Sequence, residues 1–197
     1  MKRLFFIALA VFPMFLWSQS SEAIRTLYPW FVGAGLSQNF FLNYLGKDDS
    51  LNRLGRLGPG LYGFVGKQLT DHWGLSFNGS YNMHFDSQFG ASKGIIHLGS
   101  FSITPILHFL KEPWRGKFDP YVKFGAGIQF PNRRALDNAL PPYPYVTGAF
   151  GIDWFLTQRT SLYSEVGNML AIKYMIPTLQ VGISYHFGNP RVIIFED

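Results

Sequence analysis

The chain has 197 residues, with 17 Lys and Arg against 12 Asp and Glu and a formal net charge of +5; 47% of it is hydrophobic, 18% aromatic and 15% charged. An ordinary soluble domain carries about 25% charged residues, so a water-facing surface here would be sparsely charged, and the apolar content excludes disorder. With no Cys, a disulfide scaffold, a Cys-ligated zinc site, a thiol nucleophile and a lipid-anchored N-terminal Cys are all excluded.

In chain order, the first element is Lys2 and Arg3 followed by an apolar run from Leu4 to Trp17, with Ser18 and Ser20 at positions −3 and −1 before Ser21. That is the order of a secretory signal peptide. The run is shorter than the ~20 residues that span a bilayer, so 1–20 is expected to be cleaved and not to anchor the chain. Eight segments of period two follow, at 29–41, 58–69, 73–85, 101–109, 120–130, 145–156, 161–170 and 179–187. At 73–85, Trp73, Leu75, Phe77, Tyr81, Met83 and Phe85 alternate with Gly74, Ser76, Asn78, Ser80, Asn82 and His84. At 120–130, Val122, Phe124, Ala126, Ile128 and Phe130 alternate with Tyr121, Lys123, Gly125, Gly127 and Gln129. The connections at 70–72 and 157–160 are short and that at 111–118 is longer; those at 43–57, 86–93, 131–143 and 170–177 read as long loops. Short turns on one side and long loops on the other predict an all-β fold, an eight-stranded antiparallel up-and-down transmembrane β-barrel over 21–187. Residues 188–197 form a short periplasmic tail.

A soluble lipocalin-type barrel alternates too, with its apolar side inward. The polar face separates the two. It carries Ser, Asn, Gly, Gln, Thr and His and few charges, which suits a hydrogen-bonded lumen better than a water-facing wall. Tryptophan supplies a second criterion: Trp30, Trp73, Trp114 and Trp154 all fall at the short-turn end, as an interfacial belt requires. Phe40, Phe41, Tyr44, Phe85, Phe89, Phe130, Tyr143, Tyr145 and Tyr174 gather at the other end as an outer belt.

The leader, the segment Gly60-Leu61-Tyr62-Gly63-Phe64-Val65-Gly66, the Leu-Thr-Asp-His-Trp-Gly-Leu turn at 69–75 and Gly-Ile-Asp-Trp-Phe-Leu-Thr at 151–157 resemble the small outer-membrane β-barrel superfamily. That group includes the OmpA-type transmembrane domain and OmpW-like barrels. The resemblance implies eight antiparallel strands in the outer membrane of a Gram-negative cell envelope, and no particular activity. The chain departs from the pattern in two ways: no peptidoglycan-binding domain follows the barrel, and the terminal aromatic, Phe187, precedes ten further residues.

Candidate chemistry is sparse. His72, His84, His97, His108 and His186 show no helical metal-ligand spacing, so neither metal nor cofactor is expected. His84, Asp86 and Ser87 are the nearest approach to a Ser/His/acid set of a lipid-A-modifying enzyme, without the His-x-Ser pattern of the outer-membrane deacylases. No nucleic-acid signature is present. By parity Lys123, Asp153 and Glu165 face inward near the periplasmic end, with His108 and His186 at similar depth, which predicts a structural lumen cluster because a buried lone charge costs several kcal/mol. Arg53, Arg56, Arg133 and Arg134 in the outward loops suit contacts with lipopolysaccharide phosphates. In the tail, Val192, Ile193, Ile194 and Phe195 form an apolar run that either folds on the rim or pairs with an envelope protein partner. The chain thus reads as a non-enzymatic outer-membrane barrel with a structural or interaction role, a subunit of a larger assembly being one form of it. The alternatives are a narrow OmpW-like channel for small apolar solutes and the lipid-A enzyme.

Overall fold

The computed structural model describes residues 28–40, 42–43, 57–85, 95–110, 118–131, 142–171 and 174–189. Residues 1–20, Trp114, the four loop arginines Arg53, Arg56, Arg133 and Arg134, Asp86, Ser87 and the tail residues Val192 to Phe195 lie outside them. The strands are β1 (Trp30–Phe40, continued by Leu42–Asn43), β2 (Leu57–Gln68), β3 (Trp73–Phe85), β4 (Ile95–His108), β5 (Phe118–Pro131), β6 (Tyr143–Phe155), β7 (Thr160–Ala171) and β8 (Tyr174–Phe187). Each pairs antiparallel with its sequence neighbours, and β8 pairs with β1, closing the sheet.

Closure demands a stagger, and the register shows it. Cross-strand partners traced from Gly33 run through Phe64, Asn78, Ser102, Gly127, Tyr145, Ala171 and Tyr174 and return to β1 at Asn43, ten residues beyond the start. A sheet closed in this way leaves no edge strand. On β4 the pairing with β5 lapses at Thr104 and Pro105 between Ile103↔Ala126 and Ile106↔Lys123, since proline has no N–H to give. The turns at the Trp30 end share a device. Thr70 Oγ1 accepts from the Trp73 amide at 3.1 Å and Thr157 Oγ1 from the Thr160 amide at 3.0 Å, so each threonine hydroxyl tightens its own turn.

Side chains alternate between two environments. Leu36, Leu61, Phe101 and Val166 on the outer wall are each more than 60% exposed. A continuous apolar wall of this kind exceeds what a monomeric protein leaves in water. Inside, ring-bearing side chains lie over glycines of neighbouring strands: a Cβ on Gly33 would strike Phe64, on Gly66 Phe31, on Gly127 Tyr145, on Gly151 Tyr121 and on Gly58 His84. The lumen is narrow enough that these rings take the space left where the facing residue has no side chain.

Two expectations need correction. The long loop read at 170–177 is a two-residue connection, because β7 runs to Ala171 and β8 starts at Tyr174, with these two residues paired. Tyr145 does not join the outer belt; it points inward, is buried and covers Gly127.

Candidate functional site

Asp119, Tyr121 and Lys123 occupy alternate positions of β5 and share its inward face; all three are buried. Lys123 makes an ion pair with Glu165 on β7, and Tyr121 Oη donates to Glu165 Oε1 at 2.7 Å. β5 and β7 are not neighbours, so both side chains must cross β6. They can do so because the β6 residues in the way are Ala149, the partner of Lys123, and Gly151, the partner of Tyr121 and of Glu165. The ammonium also stands 4.7 Å from the Phe64 ring centre and 5.2 Å from that of Tyr121, within cation–π range.

Asp153 belongs to a second branch. Its cross-strand partner is Asp119, an arrangement of like charges that costs energy unless each is compensated. His108 Nδ1 lies 3.0 Å from Asp119 Oδ2, while Ser161 Oγ donates to Asp153 Oδ1 at 3.2 Å. Ser161 and Ser184 share a hydrogen bond of 2.6 Å, and Ser184 Oγ meets His186 Nε2 at 3.2 Å. All five residues of the sequence-derived cluster therefore lie in one layer of the lumen, with Lys123 and Glu165 in one branch and His108, Asp153 and His186 in the other.

Lys123 also divides two cavities. The lower, about 30 Å³, is lined by Tyr28, His108, Asp119, Lys123, Asp153 and His186 among others. The upper, about 40 Å³, is lined by Tyr62, Asn78, Ser100, Thr104, Lys123 and Glu165 among others. A water needs about 10–15 Å³ of such space, so each cavity takes a few waters and no organic solute. Around the upper cavity, Tyr62 Oη donates to Asn78 Oδ1 at 2.6 Å, Asn78 Nδ2 to Thr104 Oγ1 at 2.8 Å, and Ser76 and Thr104 share a bond of 2.7 Å. Ser80 pairs with Ser100 at 2.6 Å, and Ser37 donates to Asn82 at 2.6 Å.

In a nucleophilic triad the acid orients the imidazole, the imidazole orients the nucleophile, and the nucleophile is open to substrate. Here Asp153 accepts from a serine, and Ser161 and Ser184 are both buried. His84 faces the lumen with its ring over Gly58, whereas His97 stacks on Tyr81 on the outer wall, Tyr81 Oη and Nδ1 being 2.5 Å apart. Among the described residues no group of three His, Asp or Glu could hold a metal ion. Trp30, Trp73 and Trp154 stand on the outer wall at the end of the short turns, each close to 40% exposed.

Sequence reasoning missed Asp119 because it started the strand at Pro120; continuing the parity of Tyr121 and Lys123 by one step would have found it. Tyr28, which covers the lower cavity from outside the alternating segment, had no periodic signal.

No protein-family model matches the chain, and no curated protein sequence does. Among solved structures it is similar to neisserial surface protein A, at 14% identity and a TM-score of 0.58 over 80% of this chain and 97% of that one. It is similar to the attachment invasion locus protein Ail of Yersinia pestis at 13% identity and a TM-score of 0.57, over 82% and 99%. The N-terminal β-barrel domain of Pseudomonas aeruginosa OprF gives 17% identity and a TM-score of 0.53, over 81% and 99%. The chain has the fold of the small eight-stranded outer-membrane barrels.

Proposed function

We propose that the chain is exported, inserts in the outer membrane, and serves there as a non-enzymatic scaffold or interaction protein. The observation that carries this reading is the pairing of an apolar outer wall with a lumen packed by hydrogen-bonded side chains around two water-sized cavities. A channel for apolar solutes would need an apolar opening through that lumen. The rim bearing Trp30, Trp73 and Trp154 is taken as the periplasmic interface, which puts the loops 44–56 and 132–141 outside the cell. Their Arg53, Arg56, Arg133 and Arg134 would meet lipopolysaccharide phosphates. Ail, similar in fold, has been solved in complex with the heparin analogue sucrose octasulfate, a polyanion, which supports an anionic ligand for this chain.

Labelling of intact cells is expected to reach cysteines placed in 44–56 and 132–141 but not in 70–72 or 157–160; the opposite polarity would overturn the orientation. The tail is proposed to pair with an envelope protein through Val192 to Phe195. A chain lacking 188–197 should insert normally and lose a partner that co-purifies with the full chain in mild detergent. Failure to insert would assign the tail to barrel assembly instead.

A further inference from the structure

Two exposed cations stand at the rim of the short turns, in one sector. Arg159, in the β6–β7 turn, is held against β8 by the bond from the His186 amide to its carbonyl at 2.6 Å. Its Nη1 donates to Tyr185 Oη at 3.4 Å, and its guanidinium carbon lies 4.6 Å from the Tyr28 ring centre. Lys67, near the end of β2, has its ammonium 5.0 Å from the ring centre of Trp30. Register joins the two: Thr160 faces Tyr185, and Trp30 stands between Phe187 and Lys67. Arg159, Tyr185, Phe187, Trp30 and Lys67 therefore lie side by side across the seam where β8 meets β1, a span of roughly 14 Å at the usual strand spacing.

The means by which these cations are held is the informative part. Neither forms an ion pair with a described residue; the ion pairs seen among the described residues lie inside the lumen. Both are positioned by aromatic rings, which orient a cation without neutralising it. Arg159 has five N–H donors, and the Tyr185 contact uses one of its nitrogens, so its positive charge remains available. Trp30, Tyr185 and Phe187 are exposed beside them, and amphipathic rings at a membrane–water boundary settle at headgroup depth. Two cations held by rings at that depth, with no acidic partner among the described residues, match a phosphate diester, which guanidinium and ammonium groups both bind.

We propose that Arg159 and Lys67, set in place by Tyr28, Tyr185 and Trp30, form a binding surface for anionic phospholipid headgroups across the β8–β1 seam. The site is separate from the loop arginines proposed to meet lipopolysaccharide. Its assignment to the periplasmic leaflet rests on the orientation proposed above, which cell labelling tests by itself; the preference for anionic lipid does not depend on it.

The test uses the full mature chain reconstituted in phosphatidylcholine with phosphatidylglycerol, and native mass spectrometry of the lipids retained on the released barrel. The wild type is expected to retain phosphatidylglycerol over phosphatidylcholine, and Arg159→Gln or Lys67→Gln each to weaken that preference about fivefold. Arg159→Lys should keep most of it. Since both groups are exposed, the variants should fold as the wild type does in phosphatidylcholine alone. Three results would overturn the proposal: no lipid preference in the wild type, the same preference in Arg159→Gln and Lys67→Gln, or displacement of the retained lipid by inorganic phosphate alone.

Discussion

Lys123→Met is expected to destabilise the barrel by about 3–5 kcal/mol, the usual cost of removing one partner from a buried ion pair. The change keeps much of the side-chain volume but leaves Glu165, which is 3% exposed, with Tyr121 as its hydrogen-bond donor among the described residues. The carboxylate cannot turn to solvent, because Tyr121 and Lys123 reach it over Gly151 and Ala149 in a closed interior. Removing both charges in Lys123→Met/Glu165→Gln should recover most of the loss, as paired substitutions that leave no orphan charge do. Urea unfolding in lipid vesicles, compared at equal slope, measures both. An unchanged midpoint for Lys123→Met would mean that the two charges are solvated separately.

Phe101→Arg should cost about 2–4 kcal/mol, the penalty for a cation on the lipid face near the bilayer centre of a barrel, against about 0–1 kcal/mol near an interface. Phe101 lies in the middle of β4, is 67% exposed and meets Phe130 edge-on with ring centres 6.1 Å apart. Phe109, just past the end of the same strand and 51% exposed, supplies the internal comparison: Phe109→Arg should fall at the low end of that range. Equal penalties at the two positions would remove the depth dependence on which the membrane reading depends.

The two-residue period carried most of the fold. Ser76, Asn78, Thr104, Lys123 and Glu165 were all placed inward by counting alone, because a strand offers each side chain only two directions. The period failed where inward positions became apolar. Leu98 on β4 and Ile176 on β8 are buried in the upper lumen, so the alternation of polar and apolar residues breaks there and marks only 101–109 and 179–187 of these two strands. Tyr145 was misplaced for a related reason: an aromatic residue at a strand end looks like a belt residue until the glycine opposite it, here Gly127, is identified.

The lumen cluster was legible as a set of residues and not as a network. Periodicity places Lys123 and Glu165 on the inside of the wall but says nothing of their contact, which depends on two small residues of an intervening strand. Asp153 lies in the same layer yet bonds to Ser161, a partition set by register, which no single strand reveals. The rim cations were invisible to the same reasoning. Arg159 sits in a turn, outside any period, and Tyr28 precedes the first strand, so their contact exists only once the barrel has closed.

The central claim is that the barrel's apolar wall faces lipid and its polar wall the lumen. With no cysteine in the chain, single nitroxide-labelled cysteines at Phe101, Ser102, Ile103 and Thr104 can be read one at a time in vesicles. Phe101 and Ile103 are on the exposed face of β4, whereas Ser102 and Thr104 are turned inward. Dissolved oxygen, which concentrates in hydrocarbon, should relax the labels at 101 and 103 strongly and those at 102 and 104 weakly. Equal relaxation at all four positions, or the opposite alternation, would contradict the account.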